Sequence, residues 1–188
     1  MPVIAASEVR GLATTDDKQL KAALGQWLDS PPRRIDRLIL QCLLAAAPLK
    51  AQVRSHCGLY LASAHPARAT MAALLEATCV QHKQPKPFEF VNSVSNAAGF
   101  HIAQQLGIDG PNLFIGAGEQ VWTHLQALAN LDLQDGLIEQ ALLLVCDEHG
   151  DFCVQAVLLE GPTTTAHAAN FAELSAGTEV LRINLQGG

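Results

Sequence analysis

The sequence predicts an α/β domain in which a mixed β-sheet is covered by helices. Three observations carry this expectation. Short continuous apolar runs of buried-strand length recur along the chain, amphipathic stretches with helical spacing separate them, and proline or glycine marks the junctions. With 188 residues the chain suffices for one compact domain and is short for two, so residues 1–188 are expected to form a single domain. No internal repeat or linker divides it.

Taken in order, Val3 to Ala6 is a short apolar run that opens a strand. Asp16 to Leu28 places Leu20, Ala23, Leu24 and Trp27 at helical spacing, and Ser30-Pro31-Pro32 stops that helix. Proline suits a first helical turn, so a second helix is expected from about Pro32 through Ile35, Leu38, Ile39, Cys42 and Leu43 to about Ala47, ended by Pro48. Cys57 to Ala62 has the size of a buried strand, and a third helix is expected over Ala67 to Val80. Gln81 to Pro87 is polar and proline-punctuated, hence a loop, with Pro87 to Phe90 read as a turn. Asn92 to Leu106 reads as one small-residue helix, Leu113 to Gly116 as a short strand, and Glu119 to Leu131 as a helix with Val121, Leu125, Leu128 and Leu131 on one face. The runs 141–146 and 152–159, separated by Asp147-Glu148-His149-Gly150-Asp151, predict a β-hairpin inside a covered sheet. Val180 to Leu185 is a last strand after a threonine- and alanine-rich stretch.

Composition narrows the function classes. Hydrophobic residues make up 49% and charged ones only 16%, against roughly 25% charged in an average soluble protein, so excess apolar surface is expected to meet a partner. A net charge of −6 gives no basic stripe for phosphates, which argues against nucleic acid; Arg33, Arg34 and Arg37, the one tight basic cluster, read as a solvated helix start. Five scattered cysteines without zinc-like spacing read as reduced and mostly buried, no metal or cofactor is expected, and no segment is apolar enough to span a membrane. The start Met1-Pro-Val-Ile-Ala-Ala lacks the features of a signal peptide, so a cytoplasmic location is expected.

Residues 91–119 read V-N-S-V-S-N-A-A-G-F-H-I-A-Q-Q-L-G-I-D-G-P-N-L-F-I-G-A-G-E. This segment resembles the approach to the nucleophile in β-ketoacyl synthases of the thiolase fold. A small-residue helix there is followed by leu-gly-x-x-gly-pro, then by a strand, a turn and a helix. Asn96, His101, Leu106, Gly107, Gly110, Pro111 and Asn112 fall in register. The apolar strand at Leu142 and the arm ending at Leu159-Glu160-Gly161 fit the family's next central strand and its hairpin partner. The resemblance is clearest over residues 35–161 and implies a thiolase-like half-domain.

Two departures carry the functional expectation. The synthases hold a cysteine at the N-terminus of the helix after the turn, where the helix end lowers the thiol's pKa; here Glu119 occupies the nucleophile position. A carboxylate cannot form the thioester that carries the growing chain, so its role is expected to be structural, as a helix cap. The catalytic histidines, moreover, come in that family from a second half expected to lie beyond this chain. Cys57, Cys146 and Cys153 sit in predicted buried strands and rescue nothing; His56, His65, His82, His101 and His124 form no triad.

Ala117-Gly118-Glu119 resembles the ala-gly-glu of shortened chain length factors of aryl polyene pathways. That resemblance implies a noncatalytic subunit paired with a complete β-ketoacyl synthase and acting on chains tethered to acyl carrier protein. By the same analogy Leu113, Phe114, Ile115, Gly116 and Ala117 line the partner interface, and Met71, Phe88 and Phe90 set the depth of the partner's acyl tunnel, with ordinary core packing as the competing reading of the two phenylalanines. Two rival functions stay open at this point. Glu119 could serve as general base of an acyl-thioester hydrolase or decarboxylase, or the chain could be a homodimeric scaffold or remnant without a synthase.

Overall fold

The central apolar runs become strands because each is sandwiched on both faces. In the computed structural model, which describes residues 2–147, 150–162 and 167–185, Cys57–Ser63 (β2) and Gln140–Asp147 (β4) lie parallel at the centre of a six-stranded sheet. The other strands are Val3–Gly11 (β1), Asn112–Gly116 (β3), Phe152–Glu160 (β5) and Val180–Leu185 (β6), in the order β3-β2-β4-β5-β1-β6. Only β5 runs against the rest; it pairs antiparallel with β4 and β1, so the expected hairpin is present. The sheet is mixed, as its sequence predicts.

Side-chain alternation along the strands separates two cores. Leu59, Leu61, Leu142 and Leu144 face one side, where they meet helices α1 (Asp17–Leu24), α2 (Arg37–Ala46) and α5 (Ala97–Leu106). Tyr60, Ala62, Ala141 and Leu143 face the other, where α6 (Val121–Gln134) supplies Trp122, Leu125, Ala129 and Leu133. Tyr60, fully buried, donates its hydroxyl hydrogen bond to Asp132 and so ties β2 to the far end of α6. Helix α2 is buried along Leu38–Ala46, Gln41 included, between the sheet, α1 and α5.

Several boundaries differ from the sequence expectation for identifiable reasons. Strand β1 opens with the apolar run at Val3 and continues beyond Ala6 to Gly11, because its polar residues find partners within the fold. The Ser7 hydroxyl donates to the Ala45 carbonyl, and the Glu8 carboxylate accepts from Arg10 and Gln155. Helix α2 begins at Arg37, not near Pro32, since Asp36 is the residue that caps it, accepting from the Ile39 N–H at 2.9 Å. Burial pushes the Asp36 carboxyl up, although Thr70 also donates to it at 3.1 Å. Arg37 is more than a solvated helix start: it bonds the Thr15 carbonyl and lies over the Phe152 ring. Past Ala46 the chain tightens into a 3₁₀ turn through Pro48 to Gln52.

The expected third helix is present as α3 (Arg68–Leu75) running into a π-helical turn, Glu76–Val80. The helix read over Asn92–Leu106 begins only at Ala97, as α5; Asn92 ends a separate helix, α4 (Pro87–Asn92), so the residues read as a turn at Pro87–Phe90 are helical. Proline at the first position of α4 starts it, and the Glu89 side chain accepts from the Lys86 N–H. None of α3, the π turn or α4 contains a buried residue. A short helix absent from the sequence reading, α7 (Phe171–Leu174), packs below α6. His149 and Thr163–Ala166 lie outside the described residues.

Candidate functional site

The approach to β3 is built by glycines at two positions, one set by backbone conformation and one by close packing. Gly107 closes α5 with φ +73°, the left-handed conformation that favours glycine. A Cβ at Gly110 would collide with the Cys57 carbonyl, to which the Gly110 N–H donates at 3.2 Å. Next to it the Leu59 N–H donates to the Pro111 carbonyl at 2.7 Å, setting the register of β3 on β2. A side chain at Gly99 would meet the Asn96 and Asn112 amide oxygens, neither of which has a hydrogen-bond donor among the described residues. Sequence spacing found Asn96 and Asn112; only the fold reveals that they close over one glycine.

Among the described residues strand β3 pairs with β2 alone, which leaves its other edge open. Leu113 is 42% exposed, Phe114 packs toward the core beneath α5, and Ile115 and Ala117 pack toward α6. Apolar surface flanks the edge on both sides. One groove of about 250 Å³ is lined by Phe90, Val91, Val94, Ala97, Phe100 and His101, with Phe90 62% and Phe100 60% exposed. Desolvation holds the His101 imidazole below the usual histidine range, and its Nδ1 has no partner. The second groove runs along α6 past Ile115, His124, Ala127 and Leu128.

The turn after β3 lies at the C-terminal ends of the parallel strands, where the Ala117 N–H donates to the Ser63 carbonyl at 3.1 Å. It borders a cavity of about 260 Å³ lined by Ala64, Ala117, Gly118, Val121, Val145, Cys146 and Asp147. Glu119 stands on this turn, exposed and without a hydrogen bond or ion pair among the described residues. It does not cap α6: Gln120 occupies the cap position, and no side chain bonds the free N–H groups of the first turn. Among the described residues none bonds Glu119 so as to orient it as a general base. Of the cysteines, Cys146 reaches the cavity but is buried; burial pushes the Cys57 thiol up to about 12 and also raises Cys153, which disfavours the nucleophilic thiolate in both.

Among the residues expected to gate a tunnel, none is a core residue. Met71 and Phe88 are exposed, Phe88 lying 5.2 Å beneath the Arg34 guanidinium, and only Phe90 enters the groove beside β3. Sequence reading missed Phe100 and Val94 there, because a helical face of mixed small and large residues carries no sign of which way it points. Among the described residues no helix is long and apolar enough to cross a membrane, and no three His, Cys, Asp or Glu side chains are placed to hold a metal.

Strand order, the open β3 edge and the turn into α6 can be compared with solved structures. A chain of the ketosynthase ApeO complex with its chain length factor ApeC, from Xenorhabdus doucetiae, superposes with a TM-score of 0.65 at 12% identity, over 87% of this chain and 79% of that one. The fold is ketosynthase-like. The ishigamide ketosynthase/chain length factor gives 0.64 at 14% identity over 78% of this chain; the match spans 49% of that one, about half its length. The ketosynthase from module 6 of the bacillaene synthase of Bacillus subtilis 168 gives 0.55 at 13%, over 84% of this chain and 36% of that one. The ketosynthase-like fold explains the register found at 91–119, and the sheet with its helices is an α/β, thiolase-like half-domain. No family model and no curated protein sequence matches this chain.

Proposed function

We propose that this chain is a noncatalytic chain-length-factor subunit that pairs with a complete ketosynthase and shapes that enzyme's acyl tunnel during synthesis on acyl carrier protein. The observation supporting the reading is the open, apolar edge at β3, which leads straight into a turn carrying glutamate where the synthases carry their thiol. A sheet edge with unpaired N–H and C=O groups and apolar flanks is costly to leave in water, and a matching edge of a partner satisfies both at once. Its residues are Leu113, Phe114, Ile115, Gly116 and Ala117. The aryl polyene pathway is the proposed setting, by the ala-gly-glu turn at 117–119.

The exposed excursion from Arg68 to Val94 belongs to the same contact. Met71, Phe88 and Phe90 reach toward the partner's tunnel, and Val94 and Phe100 line the groove with Phe90. Apolar bulk at a tunnel floor limits chain extension by exclusion. Assay with malonyl thioesters tests the catalytic side: the chain alone is expected to give no condensation, and Glu119→Cys is expected not to create any, because no histidine among the described residues lines the cavity at the turn where a thiol would stand. Elongation by the wild-type chain alone would overturn the reading.

A further inference from the structure

We propose that residues 167–185 form an intramolecular clasp that holds α6, and with it the 117–120 turn, against the sheet. Gln126 is 2% exposed and points at the tail rather than at the sheet. Its amide reads the main chain of Ala168 in both directions: Oε1 accepts from the Ala168 N–H at 3.0 Å, and Nε2 donates to the Ala168 carbonyl at 2.8 Å while also reaching the Trp122 carbonyl at 2.9 Å. A buried amide whose oxygen and nitrogen are both engaged fixes one position of the tail, since any shift strands a desolvated donor or acceptor.

The contact continues downstream. Phe171 packs on Trp122 with ring centroids 5.7 Å apart, and Leu174 and Val180 join the same core. Helix α7, too short to be stable alone, is capped by Asn170, whose side chain accepts from the Glu173 N–H, and Glu173 returns the bond to Asn170 and to the Ala169 N–H. The Thr178 hydroxyl then bonds the Val3 carbonyl, and β6 pairs in parallel with β1 over Val180–Leu185. The tail is thus anchored at both ends, to α6 and to the sheet edge opposite β3. The first turn of α6 has no side-chain cap, so buried Val121 and Trp122 locate its start together with the Gln126 bonds to the tail.

Hydrogen exchange of the full-length protein, followed by mass spectrometry, tests the clasp. Gln126→Leu keeps the volume but leaves the Ala168 N–H unpaired and its carbonyl only the long bond from the Thr123 hydroxyl, at 3.5 Å; exchange is expected to rise about tenfold or more over both 168–176 and 117–128, while α2 is unchanged. If Gln126→Leu does not fold, Asn170→Ala weakens α7 from the solvent side without touching α6 and is expected to loosen 117–128 as well, to a smaller degree. Opening of 168–176 with 117–128 as protected as in the wild type would overturn the proposal in either variant.

Discussion

Glu8 is an acidic residue in the middle of a covered strand, and it is retained because Arg10 bonds it at 2.9 and 3.1 Å and Gln155 at 2.7 Å. The Arg10 hydrogen bonds outweigh desolvation and hold its carboxyl below the ordinary value of 4.5. A lowered carboxyl contributes stability above its unfolded value and loses it as pH falls through the folded one. Glu8→Gln is therefore expected to cost about 1–2 kcal/mol at pH 7, discounted because Arg10 is largely exposed, and the difference from wild type should shrink as pH falls below the ordinary carboxyl value of 4.5 and be lost once it has passed through the lowered folded one. Thermal melts of both proteins between pH 3 and 7 check the sign. A further residue-scale outcome concerns Phe90: because it is exposed, Phe90→Ala should not incur the core penalty of about 2–5 kcal/mol. Complex yield should hold while the paired synthase releases longer products, read by mass; an unchanged product distribution would remove Phe90 from the tunnel floor.

Element by element, legibility tracked the distance over which each element is determined. Strands β2, β4 and β5 were readable because a run buried on both faces is continuously apolar, and β3 was readable because Gly107, Gly110 and Pro111 fix the turn before it. The extension of β1 was not, since Ser7 and Glu8 depend on Ala45 and Gln155, far away in sequence. Nor were α7 and the Gln126 clasp, which carry no periodicity, or the exposure of Phe88, set by its seat under Arg34. The β3 edge supplies the interface prediction. Phe114 packs into its own core, so Phe114→Asp would unfold the chain as readily as break a pair. Leu113→Asp is the cleaner variant: it should leave the melting temperature nearly unchanged and weaken a partner complex by on the order of 3 kcal/mol, roughly a hundredfold in affinity, as a carboxylate is buried unpaired. Pull-down titration of folded Leu113→Asp measures it.

For the whole molecule the decisive quantity is the apolar surface left open on one side of the sheet. Leu113, Phe100, Phe90, Val91 and Val94 lie around the β3 edge, and Met71, Leu75 and Val80 extend the exposed set along α3 and the π turn. A surface of this kind favours association, so the chain expressed alone is expected to self-associate or precipitate, and co-expression with a ketosynthase to cure it. The β6 edge, by contrast, carries Arg182 and Asn184 and is expected to stay in water. Native mass spectrometry of the chain co-expressed with a complete ketosynthase encoded beside it tests the central claim most directly. A one-to-one complex that is lost in Leu113→Asp is the predicted result; a homodimer or monomer indifferent to the synthase would contradict it.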